Sequence, residues 1–396
     1  MNDRKETGNK AAAVICEMNL PHRGHARLAR KLKEITCDSV LIAVMSGDFV
    51  QRGDAAAVGK AVRAEAALSV GFDLVLELPY PWSCAPAENF SAAGAAVAAG
   101  AGAGILAFGS ECGEIGLLSE AAGRMGSKEY HEALCAERET HGSESEIRLR
   151  VRVFSELYGE EAFFPKKPND ILAAEYIRAV EKYRFSLNVL TVKREGEESA
   201  TAARALYRAA FDCRGFDADG EKQAQMLLTD RVRETVRAFA EEGREPKSIF
   251  SERSDGLFCG FYGFSDRKTL EKFAGMKGGI AGRLCAAAGK NTTVAGLLSD
   301  AATKKYTDAR LRRALIHGVI GTEDADLRAL PRFTNVLAAT ERGRSYLREL
   351  ERERKRKGET EEGFVLFARP AAAKREKSFA RQYELMQRAE RLYGMI

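Results

Sequence analysis

Short apolar runs alternate with segments of helical spacing through the first 110 residues. The runs cover residues 11–17 (AAAVICE), 39–45 (SVLIAVM), 73–78 (DLVLEL) and 105–108 (ILAF). Continuously apolar strands of this length, separated by helices, are typical of βαβ units whose parallel sheet is covered on both faces. The pattern predicts an α/β fold with a Rossmann-like parallel sheet, which places ligands beyond the carboxyl ends of its strands.

The pattern changes near residue 215. A fifth strand-like run covers residues 187–192, whereas helical spacing dominates after about Cys213. A chain of 396 residues suits two domains. We therefore expect an α/β domain over residues 1–215 and a mainly helical, basic domain over residues 216–396.

Composition excludes several classes of protein. The eight cysteines are scattered without a CxxC pair, which argues against a disulfide framework or a zinc ribbon. No apolar run approaches the roughly 18 residues of a spanning helix, and the polar residues 1–10 do not resemble a signal peptide. We expect a cytoplasmic protein without a membrane partner. Lys plus Arg total 62 against 57 Asp plus Glu, an excess that permits an anionic partner without demonstrating one.

The tetrapeptide His22-Arg23-Gly24-His25 holds two of the five histidines and lies where the first strand passes into the first helix. Free N–H groups and the dipole at a helix N-terminus attract phosphate. Two imidazoles there could donate hydrogen bonds to phosphate oxygens, and Gly24 would let the backbone approach closely. We predict that His22 and His25 are catalytic. The alternative is a pair of surface histidines that only cap the helix.

This HxGH pattern and further segments resemble the tRNA(Met) cytidine acetate ligase family, part of the HxGH-type nucleotidylyltransferase-like superfamily. The segments follow the family's order through nearly the whole chain: residues 17–25 (EMNLPHRGH), 43–53 (AVMSGDFVQRG), 73–79 (DLVLELP), 108–111 (FGSE), 167–172 (KPNDIL), 192–194 (VKR), 304–317 (KKYTDARLRRALIH) and 336–350 (VLAATERGRSYLREL). The resemblance implies a nucleotidylyltransferase-like, ATP-binding first domain and a tRNA-binding second domain.

The resemblance also implies ATP contacts. Gly109 would let adenine or ribose lie on the sheet edge. Asn169 can donate and accept hydrogen bonds, and Arg194 can donate two parallel hydrogen bonds to a phosphate. The alternatives are a turn glycine, a helix N-cap and a solvated charge respectively. The other implied contacts come from the first strand–helix loop and are Val14, Ile15, Cys16, Glu17, Met18, Asn19, Gly24 and Arg27.

Two further groups could help to hold the phosphates. Lys60 and Arg63 on the second helix, with Gln51 and Arg52 in the loop before it, could hold the triphosphate or the acyl group. A solvated basic helix face is the alternative for Lys60 and Arg63. Residues 199–204 (SATAAR) resemble the superfamily's second signature, a hydroxyl-rich turn with an arginine, although Ala and Ser are common in this chain.

A basic cluster in the second half predicts RNA binding. Phosphate contacts give affinity, and an aromatic side chain can stack on an unpaired base. Positions 306, 310 and 313 would share one side of a helix. The alternative is a charged solvent face. The predicted RNA-binding residues are Lys304, Lys305, Tyr306, Arg310 and Arg313.

The implied reaction is ATP-dependent acetylation of N4 of the wobble cytidine of elongator tRNA(Met) by acetate. Acetate would attack ATP to form acetyl-adenylate and pyrophosphate, and the cytidine amine would then displace AMP. Electrostatic stabilisation by His22 and His25 would assist, with Mg²⁺ expected beside ATP, although no carboxylate cage or other metal-ligand cluster is visible.

Two other functions stay open. The family usually has an aromatic residue at position 18, Pro-Phe at 20 and 21, and Asn at 23, where this chain has Met18, Leu20, Pro21 and Arg23. These substitutions leave room for a non-catalytic RNA-binding protein on the same fold. A small-molecule nucleotidylyltransferase would share the first domain but would not need the basic second half.

Overall fold

The structure is a computed structural model that describes residues 11–141, 144–196, 199–357, 364–367 and 379–396. The polar residues 1–10, which we expect not to be a signal peptide, lie outside this range. The strands are β1 (Ala11–Cys16), β2 (Val40–Ser46), β3 (Phe49–Val50), β4 (Asp54–Ala55), β5 (Leu74–Leu78), β6 (Ile105–Ser110), β7 (Asn188–Lys193), β8 (Phe333–Ala339) and β9 (Val365–Phe367).

Helices connect these strands and form most of the second half. They are α1 (Arg23–Ile35), α2 (Lys60–Ser69), α3 (Ala87–Gly100), α4 (Ile115–Gly126), α5 (Lys128–Thr140), α6 (Glu146–Tyr158), α7 (Pro168–Tyr183), α8 (Ala200–Asp212), α9 (Ala218–Leu227), α10 (Asp230–Glu241), α11 (Glu252–Phe264), α12 (Arg267–Leu270), α13 (Ile280–Ala288), α14 (Val294–Ala301), α15 (Asp308–Ile320), α16 (Asp324–Arg328), α17 (Glu341–Lys357) and α18 (Ala380–Met395). Within the described ranges, no helix has the length and apolarity to cross a membrane.

The main sheet has the strand order β7-β6-β1-β2-β5-β8-β9. The five strands from β7 to β5 are parallel neighbours, and Val14 in the central strand pairs with Ala43 on one side and Ala107 on the other. The predicted α/β class with a parallel sheet is confirmed. The five apolar runs of the sequence correspond to these five strands.

The outer two strands were not expected from the sequence. Strand β8 runs antiparallel to β5, and β9 runs parallel to β8. Both come from the half of the chain predicted to be mainly helical, so that half completes the sheet of the first. The division at residue 215 stays a prediction.

The two faces of β1 enter different parts of the core. Ala11, Ala13 and Ile15 pack under α3 and α7, whereas Ala12 and Val14 pack under α1 and α2. Alternation of side chains along a strand produces this division. Helix α3 packs especially close, since a Cβ at Gly94 would lie 2.5 Å from Cδ1 of Ile15. The layers hold β1 rigidly and fix where its carboxyl end emerges.

Candidate active site

A cleft lies at the carboxyl ends of β1, β6 and β7. Parallel α/β sheets bind ligands at this edge. The cleft is also lined by Leu28, Lys31, Lys193 and Glu195, which sequence analysis missed. Lys31 lies four residues, about one turn, beyond Arg27 on α1, so helical spacing could have identified it. The predicted residues that the structure brings together here are His22, Gly24, His25, Arg27, Gly109 and Arg194.

The two histidines of the motif form a reciprocal cap at the start of α1. Nδ1 of His22 accepts from the main-chain N–H of Gly24, and Nδ1 of His25 accepts from the main-chain N–H of His22, both at 3.2 Å. Their ring centroids are 3.9 Å apart. A neutral imidazole whose Nδ1 accepts carries its proton on Nε2. The motif therefore caps the helix and presents Nε2–H donors, and both rings line the cleft.

The charge state of His25 follows from its surroundings. Burial lowers the pKa of His25 well below its usual value, and His22 and Arg194 lower it further. His25 is therefore neutral at pH 7 and acts as a hydrogen-bond donor rather than as a cation. Such a donor can stabilise charge that develops on a phosphate without first losing a proton.

Gly109 and Arg194 face each other across β6 and β7. Gly109 pairs with Val192 in the sheet, and the Arg194 N–H donates to the Ser110 carbonyl at 2.9 Å. A Cβ at Gly109 would lie 3.1 Å from Cγ of Arg194. The glycine therefore gives room for the arginine stem, and Arg194 is an exposed residue that lines the cleft.

Asn169 lies at the start of α7 and is held by Glu111. Its Nδ2 donates to Oε1 of Glu111 at 2.6 Å, and the Asp170 N–H donates to Oε2 at 3.0 Å. The N-cap of α7 is Lys167, so the N-cap interpretation of Asn169 is wrong. Asn169 is not among the residues that line the cleft in the described structure. Glu111 fixes this helix end to the end of β6.

The other implied ATP contacts belong to β1 and the turn after it. Val14, Ile15 and Met18 are buried in the core, which leaves only their backbone for a nucleotide. Burial also raises the pKa of the Cys16 thiol, so it stays protonated. Met18 adopts a left-handed backbone with φ of 47°, an unfavourable conformation for a non-glycine residue. The turn directs the chain from β1 into the histidine motif.

Glu17 and Asn19 lie in this turn and connect it to neighbouring loops. Oε1 of Glu17 accepts from the Gln51 N–H at 3.0 Å, and Oδ1 of Asn19 accepts from the Ala57 N–H at 2.8 Å. Arg204, from the second signature, donates to the Asn19 carbonyl at 3.1 Å. Residues 199–204 therefore reach the first loop. The Nδ2 atom of Asn19 is buried without a hydrogen-bond partner among the described residues.

Burial raises the pKa of the Glu17 carboxyl group. Arg52, Arg204, the Gln51 N–H and Arg63 counteract that effect. Three guanidinium groups therefore stabilise a negative charge at Glu17. Partial burial of the side chain opposes them, because it removes water that would also stabilise the charge. This combination suits a carboxylate that must exchange a proton.

The interpretation of Lys60 and Arg63 as a solvated basic face is wrong, whereas a contact of Lys60 with the triphosphate or the acyl group stays a prediction. Arg63 is fully buried and donates to main-chain carbonyls of Glu17 at 2.8 Å, Ser46 at 2.9 Å and Val58 at 3.0 Å, and also to Gly47. Lys60 forms ion pairs with Asp48 at 3.2 Å and Glu77 at 3.1 Å. These cations connect α2 to the loops after β1 and β2 and do not form a solvated face.

The expected RNA-binding face is also corrected. Tyr306 lies before α15, whose N-cap is Thr307, and it is only 7% exposed. Its hydroxyl donates to the Gly278 carbonyl, and Arg310 lies over its ring at 4.9 Å. Arg313 donates to the Gln51 carbonyl at 3.0 Å. Tyr306, Arg310 and Arg313 therefore do not share one open face. The exposed predicted residues are Lys304, Lys305 and Arg310.

No cluster of three or more His, Cys, Asp or Glu side chains with metal-binding geometry occurs in the part of the chain that the structure describes. The carboxylates of Asp48 and Glu77 are already paired, since both contact Lys60.

A sheet of this order, with paired imidazoles capping the first helix at its ligand edge, defines the class of HxGH-type nucleotidyl transferases. The model of the family described as HIGH Nucleotidyl Transferase matches residues 9–396. The tRNA(Met) cytidine acetate ligase of Caldicellulosiruptor saccharolyticus is 31% identical over 85% of this chain and 84% of that protein. That of Thermotoga petrophila is 30% identical over 84% of this chain and 82% of that protein.

Solved structures agree with these relatives. Thermotoga maritima TmcAL bound with alpha-thio ATP superposes with a TM-score of 0.86 at 26% identity, covering 98% of this chain and 94% of that chain. The apo form of the same protein gives 0.84 at the same identity. This chain belongs to the HIGH nucleotidyl transferase family and, within it, to the tRNA(Met) cytidine acetate ligases, so it is an ATP-dependent ligase.

Proposed function

We propose that this ligase acetylates N4 of the wobble cytidine of elongator tRNA(Met), using acetate and ATP through an acetyl-adenylate. The observation that carries the proposal is the pair of capping imidazoles that lines a cleft together with Gly109 and Arg194. The names of the relatives and the alpha-thio ATP bound to Thermotoga maritima TmcAL support the choice of substrates.

The proposed reaction has two steps. An acetate oxygen attacks the α-phosphorus of ATP, and pyrophosphate leaves with the electron pair of the broken P–O bond. The N4 amine then attacks the acetyl carbon, and AMP leaves. His22 and His25 donate from Nε2 to phosphate oxygens as negative charge grows on them, and Arg194 adds a cationic fork.

The described residues do not offer a cage for Mg²⁺. Mg²⁺ usually keeps several waters and binds through substrate phosphates. We therefore propose that Mg²⁺ arrives with ATP, and we assign it no step.

Binding of tRNA is proposed for the exposed cations of the second half. Lys304, Lys305 and Arg310 are exposed and can contact phosphates without reading sequence. Such contacts would hold the anticodon loop, whose bases are already unpaired, and the reaction would take place in the cytoplasm where tRNA is found.

The proposal is tested by incubating the purified protein with unmodified elongator tRNA(Met), ATP and acetate. Mass spectrometry of the tRNA nucleosides should show N4-acetylcytidine, and omission of either ATP or acetate should abolish it. AMP transfer that needs no tRNA would instead favour a small-molecule nucleotidylyltransferase. Binding of tRNA without any binding of ATP would favour a non-catalytic RNA-binding protein.

A further inference from the structure

The transfer step needs a group that the histidine pair does not supply. When the cytidine amine attacks the acetyl carbon, its nitrogen must lose a proton. The histidines are placed for phosphate charge, and His25 is held by its Nδ1 at the helix cap. A proton acceptor therefore has to come from elsewhere at the carboxyl edge of the sheet.

Glu17 is fixed at that edge by its neighbours. It directly follows β1, the strand at whose end the histidine motif begins. Its carbonyl accepts from Arg63 at 2.8 Å, and its Oε1 accepts from the Gln51 N–H at 3.0 Å. Its Oε2 has no hydrogen bond within the described ranges, and the side chain is half-buried. Glu17 therefore keeps one carboxylate oxygen available in a defined position.

Other carboxylates at this edge are engaged elsewhere. Asp48 and Glu77 form ion pairs with Lys60. Glu111 uses one oxygen for Asn169 and the other for the Asp170 N–H. These partners already engage all three carboxylates, whereas one oxygen of Glu17 is not engaged by the described residues.

Asn19, two residues after Glu17, indicates what kind of ligand would bind here. It is 1% exposed, and its Nδ2 has no hydrogen-bond partner among the residues described. An unpaired buried donor is unfavourable, so an acceptor on a ligand would stabilise it. Cytosine offers an amine donor beside ring acceptors, and carboxylates accept from that amine in known recognition of cytosine. Glu17 and Asn19 are not among the residues that line the cleft in the described structure. They lie on the short turn that leads from β1 into the histidine motif, and a carboxylate with an amide donor matches that pattern.

We propose that Glu17 binds the N4 amine of the target cytidine and acts as the general base of acyl transfer. This assignment rests on the proposed function. As nitrogen forms its bond to the acetyl carbon, the bond from that carbon to the adenylate oxygen breaks and AMP leaves with the electron pair. The N4 proton passes to the Glu17 carboxylate and then to solvent, which leaves N4-acetylcytidine.

The test separates the two half-reactions in Glu17→Gln, which keeps the shape of the side chain and its acceptor for Gln51. Adenylation is measured as acetate-dependent pyrophosphate–ATP exchange, in the presence of a tRNA whose wobble cytidine is replaced by uridine. Transfer is measured in a single turnover on unmodified tRNA. General-base catalysis contributes roughly 10²–10⁴-fold, so the ratio of transfer to exchange should fall about 100-fold or more.

Glu111→Gln is the matched control, because Glu111 lies at the end of the neighbouring strand and is engaged in positioning α7. The Glu111→Gln change should alter the rates of exchange and transfer by the same factor, so that their ratio stays that of the wild type. An unchanged ratio in Glu17→Gln would overturn the assignment. If that variant does not fold, Glu17→Asp carries the same test, with a selective loss of transfer expected. Wild-type protein without acetate-dependent exchange would overturn the proposed function instead.

Discussion

The cleft at β1, β6 and β7 and the basic segment at residues 304–313 both contain groups that can bind phosphate, but they use them differently. In the cleft, main-chain N–H groups hold Nδ1 of His22 and His25 and leave each ring lining the cavity. In the basic segment, Arg313 is bonded to the Gln51 carbonyl and Arg312 pairs with Asp308. A motif that caps a helix determines where its own side chains lie. The sequence of a basic segment, in contrast, does not show which of its cations bond to other parts of the protein.

The largest effect is expected in the cleft. His22→Ala and His25→Ala each remove a donor to the phosphates, and loss of one such preorganised donor costs about 10²–10³-fold in rate. Acetate-dependent pyrophosphate–ATP exchange should fall by that factor in each variant. His131→Ala, which changes an exposed histidine of α5, is the control and should exchange normally. Equal rates in all three variants would remove the motif from the chemistry.

The next effect tests whether a buried cation is a structural support. Arg63→Met leaves the carbonyls of Glu17, Ser46 and Val58 without their donor. Each buried acceptor left unsatisfied costs about 1–3 kcal/mol, so urea unfolding should show a loss of about 3 kcal/mol or more. The exposed Arg30 on α1, changed to Ala, should lose less than about 0.5 kcal/mol. Similar losses in the two variants would contradict the assignment.

A smaller effect concerns His317, on the same helix as Arg313. Burial and then Arg313 lower the pKa of His317 to about 3, whereas the unfolded chain has a value near 6.5. The unfolded state therefore binds the proton first, and stability is lost as pH falls below about 6.5. Between pH 7 and pH 5 this residue should cost about 2 kcal/mol of unfolding free energy. His317→Gln should show a correspondingly weaker pH dependence, and an identical pH dependence would be the contrary result.

The smallest effect sharpens the description of the basic segment. Lys304→Ala with Lys305→Ala removes two exposed cations, so tRNA affinity should fall about 10-fold and the salt dependence should become shallower by about 1–2 in log–log slope. Tyr306→Phe removes only the internal bond to Gly278 and should leave tRNA affinity unchanged. Weaker tRNA binding by Tyr306→Phe would contradict the purely internal role of this hydroxyl.

The sequence was sufficient for the parts of the fold that local pattern controls. The apolar runs predicted the parallel strands, and the strand–helix junction predicted where His22 and His25 lie. Strand β8 was missed because its main partner is β5, more than 250 residues earlier. Burial of Arg63 could not be predicted, because its acceptors come from three separate segments of the chain that only the fold brings together. Tyr306 was wrongly placed on the helix, because Thr307 caps α15 and leaves Tyr306 two residues before its first turn.

The central claim is that the paired imidazoles hold the phosphates of ATP. A crystal structure with a non-hydrolysable ATP analogue tests it most directly. We expect Nε2 of His22 and His25 within about 3.2 Å of phosphate oxygens, with the adenosine beside Gly109 and Arg194. An analogue bound elsewhere, or bound here with both rings turned away from the phosphates, would contradict this account.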